Sequence, residues 1–351
     1  MPNPSSPTAH RAQLLKRLFP DGVPVLWCPS LTHYGAGGAI DAARIAAHLR
    51  QLSPHVKGFL IPGSTGDGWD LSEPETRQIL ELGLDQAQKL NLHLLIGILK
   101  PTVQEGLETI RQTLRLLQSR TGETAIENAF TKARVCGFAV CPPRGSNLSQ
   151  EEIARALTSI LGAGLPTALY QLPQVTQNEI SAQLASDLAA RFENFILFKD
   201  SSGADRVVQS TKTLGGVFTM RGAEGDYARW LKTAGGPYDG FLLSTANCFA
   251  REFGQLINGL AAGNPDAARR MSERLTKVIG DVFGLVKDLP QGNAFTNANK
   301  AMDHFFAYGP RAAGAPLPRL HAGACLPLEV IRGTGEILSR QSLMPARGYL
   351  E

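Results

Sequence analysis

The sequence lacks the features that mark a disulfide framework, a metal site or a membrane span. Its five cysteines are odd in number and show no Cys-x-x-Cys spacing, so we interpret them as reduced core or loop residues. The seven histidines are scattered, with no His-Glu-x-x-His or His-x-His pattern. No stretch approaches the roughly 20 apolar residues needed to cross a bilayer. The sequence therefore predicts no cofactor, no metal and no membrane partner.

Strong charge of one sign is also missing. The net charge is only +4, and no basic run is interleaved with aromatic residues, which argues against a nucleic-acid partner. Residues 1–20 are basic, as in a transit peptide, but they lack the apolar segment of a secretory signal. We expect them to form an N-terminal extension with a short helix at 12–19, and we expect a cytoplasmic protein.

The sequence does contain a repeating unit. A run of apolar or β-branched residues ends in turn-forming residues, and a stretch of helical periodicity follows. Because these runs are apolar throughout, they favour a parallel sheet covered by helices. The candidate strands are residues 23–28, 56–62, 92–98, 136–142, 166–172, 194–199, 217–222 and 239–245.

A row of eight strand–helix units predicts an α/β fold, the TIM or (β/α)8 barrel. Residues 21–263 would form the barrel, close to the ~250 residues typical of this fold. The alternative is a doubly wound open sheet, which would need a phosphate loop that the sequence does not show. Ser72 and Glu75 have the spacing of a helix capping box. Residues 264–351 predict a C-terminal helical region.

Polar residues gather where the predicted strands end. Lys199 ends the sixth strand, Tyr170 lies in the fifth, and the loop Gly-Ser-Thr-Gly-Asp-Gly at 63–68 follows the second. The seventh strand runs into residues 222–226, and the eighth into Ser244. Loops that follow barrel strands converge at one end. These residues are therefore predicted to lie on one rim.

Each feature also has a simpler interpretation. Lys199 could be a surface lysine, Tyr170 a core aromatic, and the loop at 63–68 a turn. Together, however, they fit one chemistry. A lysine held out of water becomes a nucleophile, a tyrosine can relay protons, and free backbone N–H groups can hold a carboxylate. An imine with a 2-oxo acid uses all three.

Four motifs resemble a known family. GSTGDGWDLSEPETRQIL, ALYQLP, FKDSSG and GFLLSTAN, in this order and spacing, are similar to the dihydrodipicolinate synthase / N-acetylneuraminate lyase family. The likeness covers residues 22–310. It implies a class I (Schiff-base) aldolase or lyase on a TIM barrel that acts on pyruvate. It also implies a homo-oligomer, either a tetramer or a dimer.

The resemblance implies roles for particular residues. Lys199 matches the imine-forming lysine, and Tyr170 matches the tyrosine that moves protons. Asp67 stands where the lyase branch has a glutamate. The implied substrate-binding residues are Gly63, Ser64 and Thr65 at the pyruvate carboxylate, and Gly222, Glu224 and Ser244 at the sugar-like part of the substrate.

The chain also departs from the synthase pattern. Val175 stands where the synthases carry an arginine that grips a second carboxylate. Pro143 and Arg144 replace a pair of tyrosines. Arg144 either supplies the missing cation or is a solvated loop residue. An insert at 119–134 and the segment beyond residue 310 are further differences.

We therefore predict a lyase that forms an imine between Lys199 and pyruvate or a related 2-oxo acid, and that cleaves, condenses or dehydrates a sugar-acid-like substrate. One alternative is condensation of the 4-hydroxy-tetrahydrodipicolinate synthase type. Another is a homologue that binds a 2-oxo acid without turnover. A metal-dependent barrel aldolase is disfavoured by the scattered histidines.

Overall fold

The apolar runs pair in chain order into a closed barrel of eight parallel strands. The computed structural model describes residues 6–351. The predicted barrel is confirmed, although most strands are shorter than the apolar runs because the ends of each run lie in loops. The strands are β1 (Leu26–Pro29), β2 (Gly58–Ile61), β3 (His93–Ile98), β4 (Val135–Val140), β5 (Thr167–Gln171), β6 (Phe195–Asp200), β7 (Phe218–Arg221) and β8 (Gly240–Leu242).

Helices surround the barrel. They are α1 (Pro7–Leu18), α2 (Ala42–Leu52), α3 (Glu73–Leu90), α4 (Val103–Thr121), α5 (Ile126–Ala133), α6 (Gln150–Leu161), α7 (Pro173–Thr176), α8 (Ala182–Arg191), α9 (Arg206–Gln209), α10 (Ala246–Ala261), α11 (Pro265–Val286), α12 (Ala294–Tyr308) and α13 (Leu328–Arg340). The expected capping box is present: Ser72 and Glu75 exchange hydrogen bonds at the start of α3. No helix within residues 6–351 is long and apolar enough to span a membrane.

The N-terminal helix closes the bottom of the barrel. α1 starts earlier than predicted, and its buried Arg11 donates to the carbonyls of Phe195 at 2.6 Å, Ala189 at 2.5 Å and Phe192 at 2.7 Å. Carbonyls at the end of a helix carry partial negative charge, which suits a buried guanidinium. Burial nevertheless lowers the pKa of Arg11 to about 10. Residues that sequence analysis assigned to a basic extension therefore serve the core.

A glycine makes room for the large side chain at the barrel floor. A Cβ on Gly58 of β2 would lie 2.2 Å from Cδ2 of Trp27, which is fully buried. Phe19, just after α1, packs edge-on against this indole with ring centroids 5.9 Å apart. Large side chains thus fill the barrel at the N-terminal ends of its strands. The C-terminal ends, which we call the upper rim, are left for polar groups.

The C-terminal helices pack on the barrel and share its largest hydrophobic cluster. α12 reaches the loop after β2, and α11 packs along α10, α12 and α13. The insert at 119–134 forms the end of α4 and all of α5, whose Phe130 packs edge-on against Phe138 of β4. The extra residues thus add a short helix to the outer layer. The division into an extension, a barrel and a helical region stays our interpretation.

Candidate active site

Lys199 lies near the end of β6, almost entirely out of water. The lysine is 4% exposed, and its Nζ lies 3.9 Å from the centroid of the Tyr170 ring on the neighbouring strand. None of the ion pairs formed within residues 6–351 includes it. Burial lowers the pKa of Lys199 to about 7. A large fraction of this amine is therefore neutral, and hence nucleophilic, at neutral pH.

Gly222 supplies the space that the lysine needs. A Cβ at this position would lie 2.7 Å from Cε of Lys199 and 2.1 Å from the hydroxyl oxygen of Ser201. Its own N–H donates to the carbonyl of Asp200 at 2.6 Å, which ties the loop after β7 to the end of β6. Any side chain at this position would push the lysine aside. The requirement for glycine here is steric.

Tyr170 is as buried as the lysine beside it. Its side chain is 2% exposed, and burial raises the pKa of the phenol well above its usual range, while the Ser201 hydroxyl acts in the opposite direction. The hydroxyl therefore carries its proton at neutral pH. A protonated phenol next to a neutral amine can donate and take back a proton.

Glu224 and Ser244 meet across the loops after β7 and β8. The Glu224 carboxylate accepts from the Ser244 hydroxyl at 2.6 Å, the Thr245 hydroxyl at 2.7 Å and the Tyr227 hydroxyl at 2.9 Å. It also accepts from the Thr245 N–H at 3.2 Å. A carboxylate offers about four acceptor positions, so this one is fully engaged by the protein. The three hydroxyls are oriented by it and keep lone pairs for other donors.

Gly63, Ser64 and Thr65 follow β2, on the opposite side of the ring of strands from β6. A Cβ on Gly63 would lie 2.7 Å from Cβ of Pro29, so this turn also needs a glycine. Among the described residues, the N–H groups of Ser64 and Thr65 donate to no backbone carbonyl. Two adjacent N–H groups and two hydroxyls can hold a carboxylate.

Sequence analysis missed the residues that hold this loop. Asp67 is buried in a left-handed conformation with φ of 63°, and its Oδ2 lies 3.3 Å from Nζ of Lys300 and 3.0 Å from the Tyr34 hydroxyl. Thr296 donates to the carbonyl of Thr65 at 3.0 Å. Both partners from α12 are more than 200 residues from the loop, since Lys300 and Asp67 are 233 positions apart. A lysine within an apolar helix was the one available signal.

Arg144 and Val175, where the chain departs from the synthases, lie in the segments after β4 and β5. The Arg144 guanidinium stacks 4.5 Å from the centroid of the Trp69 ring, on the exposed side of the loop after β4. Val175 is half-buried and packs against the cluster that contains Tyr170 and Leu172. The valine is thus part of an apolar wall, and the arginine rests on an aromatic ring.

Three buried side chains could hold a metal ion. Ligand atoms of His33, His48 and Asp303 lie within 4.8 Å of one another. Asp303 already accepts from Arg44 at 3.0 Å, and His48 contacts His33 at 3.1 Å and the carbonyl of Asn247 at 2.8 Å. A divalent cation would therefore sit beside a buried guanidinium, which opposes binding. Arg44 also lowers the pKa of His33, after burial itself.

The predicted residues fall into three groups on the upper rim. Lys199 lies against both Tyr170 and Gly222, and Glu224 and Ser244 form a second contact group. Gly63, Ser64 and Thr65 form the third, across the barrel. The class of protein is thus a (β/α)8 barrel with a buried, weakly basic lysine beside a tyrosine at the C-terminal ends of its strands.

Comparison with known proteins shows which family the chain resembles. Residues 121–290 match the model of the dihydrodipicolinate synthetase family. An uncharacterized DapA-like lyase of Rhizobium meliloti is 24% identical over 171 residues, which are 48% of this chain and 51% of that protein. The 4-hydroxy-tetrahydrodipicolinate synthase of Sorangium cellulosum is 24% identical over 290 residues, which are 82% of this chain and 86% of that protein.

A solved structure supports the fold. A prophage protein of the dihydrodipicolinic acid synthase family from E. coli K12, in complex with pyruvate, superposes with a TM-score of 0.71 at 19% identity, covering 91% of this chain and 99% of that one. The predicted resemblance is therefore confirmed: the chain is similar to the dihydrodipicolinate synthetase family.

Proposed function

We propose that the chain is a class I lyase or aldolase in which Lys199 forms a Schiff base with pyruvate or a related 2-oxo acid. The observation that carries the proposal is the buried Lys199 amine, which forms no ion pair within residues 6–351, has a pKa of about 7 and lies over the Tyr170 ring. Burying an ammonium group without an ion-pair partner costs free energy, and buried groups with strongly shifted pKa values are concentrated at functional sites.

The chemistry follows from the protonation states. The neutral Lys199 amine attacks the ketone carbon, and the resulting carbinolamine loses water to give the iminium. Tyr170 supplies the proton that the departing hydroxide needs and takes it back when the imine is hydrolysed. The iminium withdraws electrons from the adjacent carbon, so that carbon can be deprotonated or its bond to a substrate fragment can break.

The substrate carboxylate is assigned to the loop after β2. Ser64 and Thr65 offer two N–H groups without backbone partners, and Gly63 permits the turn that presents them. Charge-assisted hydrogen bonds of this kind fix the ketone against the amine. Placing the lysine and the carboxylate site on opposite strands suits a small 2-oxo acid held between them.

The rest of the substrate is assigned to the loops after β7 and β8. We propose that Ser244 and its neighbour Thr245 accept hydrogen bonds from substrate hydroxyls, and that Glu224 orients them because its own acceptor positions are filled. A row of hydroxyls suits a sugar-acid-like substrate. This favours cleavage or dehydration of such a molecule.

The second candidate is condensation of the 4-hydroxy-tetrahydrodipicolinate synthase type. It is favoured by relatives of that name, one of which is matched over 86% of its length. It is disfavoured by Val175, because a second carboxylate would meet an apolar wall, and an unpaired buried carboxylate is costly. A homologue that binds a 2-oxo acid without turnover is the third candidate. A homo-oligomer, tetramer or dimer, is proposed from the family likeness, and light scattering measures it.

Borohydride trapping tests the proposal. Wild-type protein incubated with pyruvate and borohydride should gain the mass of a reduced pyruvate adduct on the peptide that contains Lys199. Lys199→Arg keeps a cation but cannot form this imine, and it should show no adduct. Absence of the adduct in wild type, or its persistence in Lys199→Arg, would overturn the class I assignment. Pyruvate release from a panel of sugar-derived 2-oxo acids then separates turnover from binding alone.

A further inference from the structure

α12 holds the loop after β2 at two points, one on each side of Gly66. The Thr296 hydroxyl donates to the carbonyl of Thr65 at 3.0 Å, and the Lys300 ammonium lies 3.3 Å from the Asp67 carboxylate. All four of these residues are buried, at 5% exposure or less. Two contacts from one rigid helix fix both the position and the rotation of the short segment between them.

The loop after β1 also contacts this loop: the Thr32 hydroxyl donates to the carbonyl of Gly66 at 2.7 Å, and the Tyr34 hydroxyl donates to Asp67 at 3.0 Å. A Cβ on Gly66 would lie 2.3 Å from the carbonyl oxygen of Ser30, so the backbone is pressed closely against the loop after β1. Asp67 adopts a left-handed conformation that is unfavourable for a residue with a side chain. Inside the loop, Gly63 accepts from the N–H groups of Gly66 and Gly68. The conformation thus depends on partners outside it.

We propose that Thr296 and Lys300 are positioning residues for the substrate carboxylate. Turning the Thr65 carbonyl towards Thr296 fixes the peptide unit that follows Thr65. That unit carries the Gly66 N–H, so the contact limits rotation of the turn that begins at Ser64 and thereby constrains the Ser64 and Thr65 N–H groups that the proposed function assigns to the carboxylate. The inference rests on that function and adds to it that the C-terminal helical region completes the substrate site.

The same helix offers a matched control. One turn beyond Lys300, Asp303 forms a second buried ion pair with Arg44 at 3.0 Å. This pair is as desolvated on α12 as the first, and it does not touch the loop after β2. Breaking it should destabilise the protein without moving the carboxylate site. A difference between the two pairs therefore separates positioning from general stability.

The experiment measures borohydride trapping of pyruvate as a function of pyruvate concentration in wild type, Lys300→Met, Thr296→Val and Arg44→Met, with the melting temperature of each. We expect the half-saturating pyruvate concentration to rise about tenfold or more in Lys300→Met and about threefold to tenfold in Thr296→Val. The trapping rate at saturating pyruvate should stay within about twofold. Arg44→Met should melt lower but keep the wild-type half-saturation.

Each possible result of this experiment either supports or overturns the inference. If wild type forms no adduct, the proposed function fails and this inference fails with it. If wild type forms the adduct but half-saturation is unchanged in Thr296→Val, the inference alone is overturned, whether or not Lys300→Met folds. An equal rise in Arg44→Met would also overturn it, because the effect would then reflect the stability of α12. A rise confined to the two loop-contacting variants supports it.

Discussion

Lys199 and Lys300 are two buried lysines in nearly the same surroundings, with opposite consequences. Both side chains are almost fully buried, and each ammonium lies over a tyrosine ring, at 3.9 Å from the centroid for Lys199 and at 4.5 Å for Lys300. They differ in their charged partner. Lys300 has the Asp67 carboxylate and the Arg319 carbonyl, whereas Lys199 has no ion-pair partner within residues 6–351.

Burial lowers the pKa of both lysines. For Lys300 the ion-paired Asp67 opposes this shift, whereas the charge that opposes it for Lys199, such as that of Glu224, is not ion-paired with the amine. A carboxylate partner favours the charged form of a buried lysine, and the ion pair joins two parts of the structure. A buried lysine without one releases its proton and becomes reactive. The missing carboxylate, rather than burial, separates the proposed nucleophile from the structural cation.

The largest expected effect comes from removing the paired lysine. Lys300→Met leaves the Asp67 carboxylate buried without its cation, which should lower the free energy of unfolding by about 3–5 kcal/mol. Urea denaturation at neutral pH measures this. The double variant Lys300→Met with Asp67→Asn removes the stranded charge and should recover part of the loss. Wild-type stability in the single variant would contradict the comparison.

The unpaired lysine should behave in the opposite way. Lys199→Met removes a side chain whose ionised form is disfavoured in the fold, so the free energy of unfolding should rise, by about 1–3 kcal/mol at pH 7. The folded pKa of about 7 lies below the unfolded one. The stability that Lys199 costs the wild type is therefore greatest at and below pH 7, and it disappears as the pH rises towards the unfolded value. Denaturation should show that Lys199→Met gains more unfolding free energy at about pH 6.5 than at about pH 9.5.

The pH dependence of trapping tests the same pKa kinetically. At low pyruvate concentration, the rate of adduct formation should fall about tenfold for each pH unit below 7, because only the neutral amine attacks. Above this value the rate should level off. If the rate kept rising up to about pH 10, Lys199 would have an ordinary pKa and would not differ from other lysines in reactivity.

An exposed cation gives the smallest effect. Arg144 stacks on Trp69 at the surface, and Arg144→Ala should change the free energy of unfolding by less than about 1 kcal/mol. Its functional test is kcat/KM for condensation of pyruvate with aspartate semialdehyde, which we expect to be weak in wild type because of Val175. Efficient turnover that is lost in Arg144→Ala would show that this arginine holds the second carboxylate.

Local pattern was enough to predict the strands and to place Lys199 and Tyr170 side by side. Each strand is a continuous apolar run, and Lys199 and Tyr170 are positioned by the runs that contain them, so the parallel pairing of β5 and β6 brings them together. The same reasoning could not locate the groups that support the site. Lys300 meets Asp67 only because α12 docks above the loop after β2, and no periodicity encodes that docking.

Arg11 shows the same limit at the other end of the barrel. It belongs to the segment predicted as a basic N-terminal extension, but the end of α8 and the start of β6 place backbone carbonyls around it. Every residue has a backbone carbonyl, so the sequence does not show which carbonyls will surround a side chain. An arginine that is buried against such carbonyls therefore cannot be recognised from the sequence. Residues that act through their own chemistry are predictable, whereas residues that act through distant backbone are not.

Asp67 and Lys300 are 233 positions apart, so they are synthesised at different times. During synthesis the barrel strands leave the ribosome first, and α12, which contacts the loop after β2, leaves later. With the proposed role of α12, a nascent chain that has completed β8 already carries its reactive amine but lacks an ordered pyruvate site. A chain interrupted between α10 and α11 should therefore regain pyruvate affinity when the missing C-terminal piece is supplied separately.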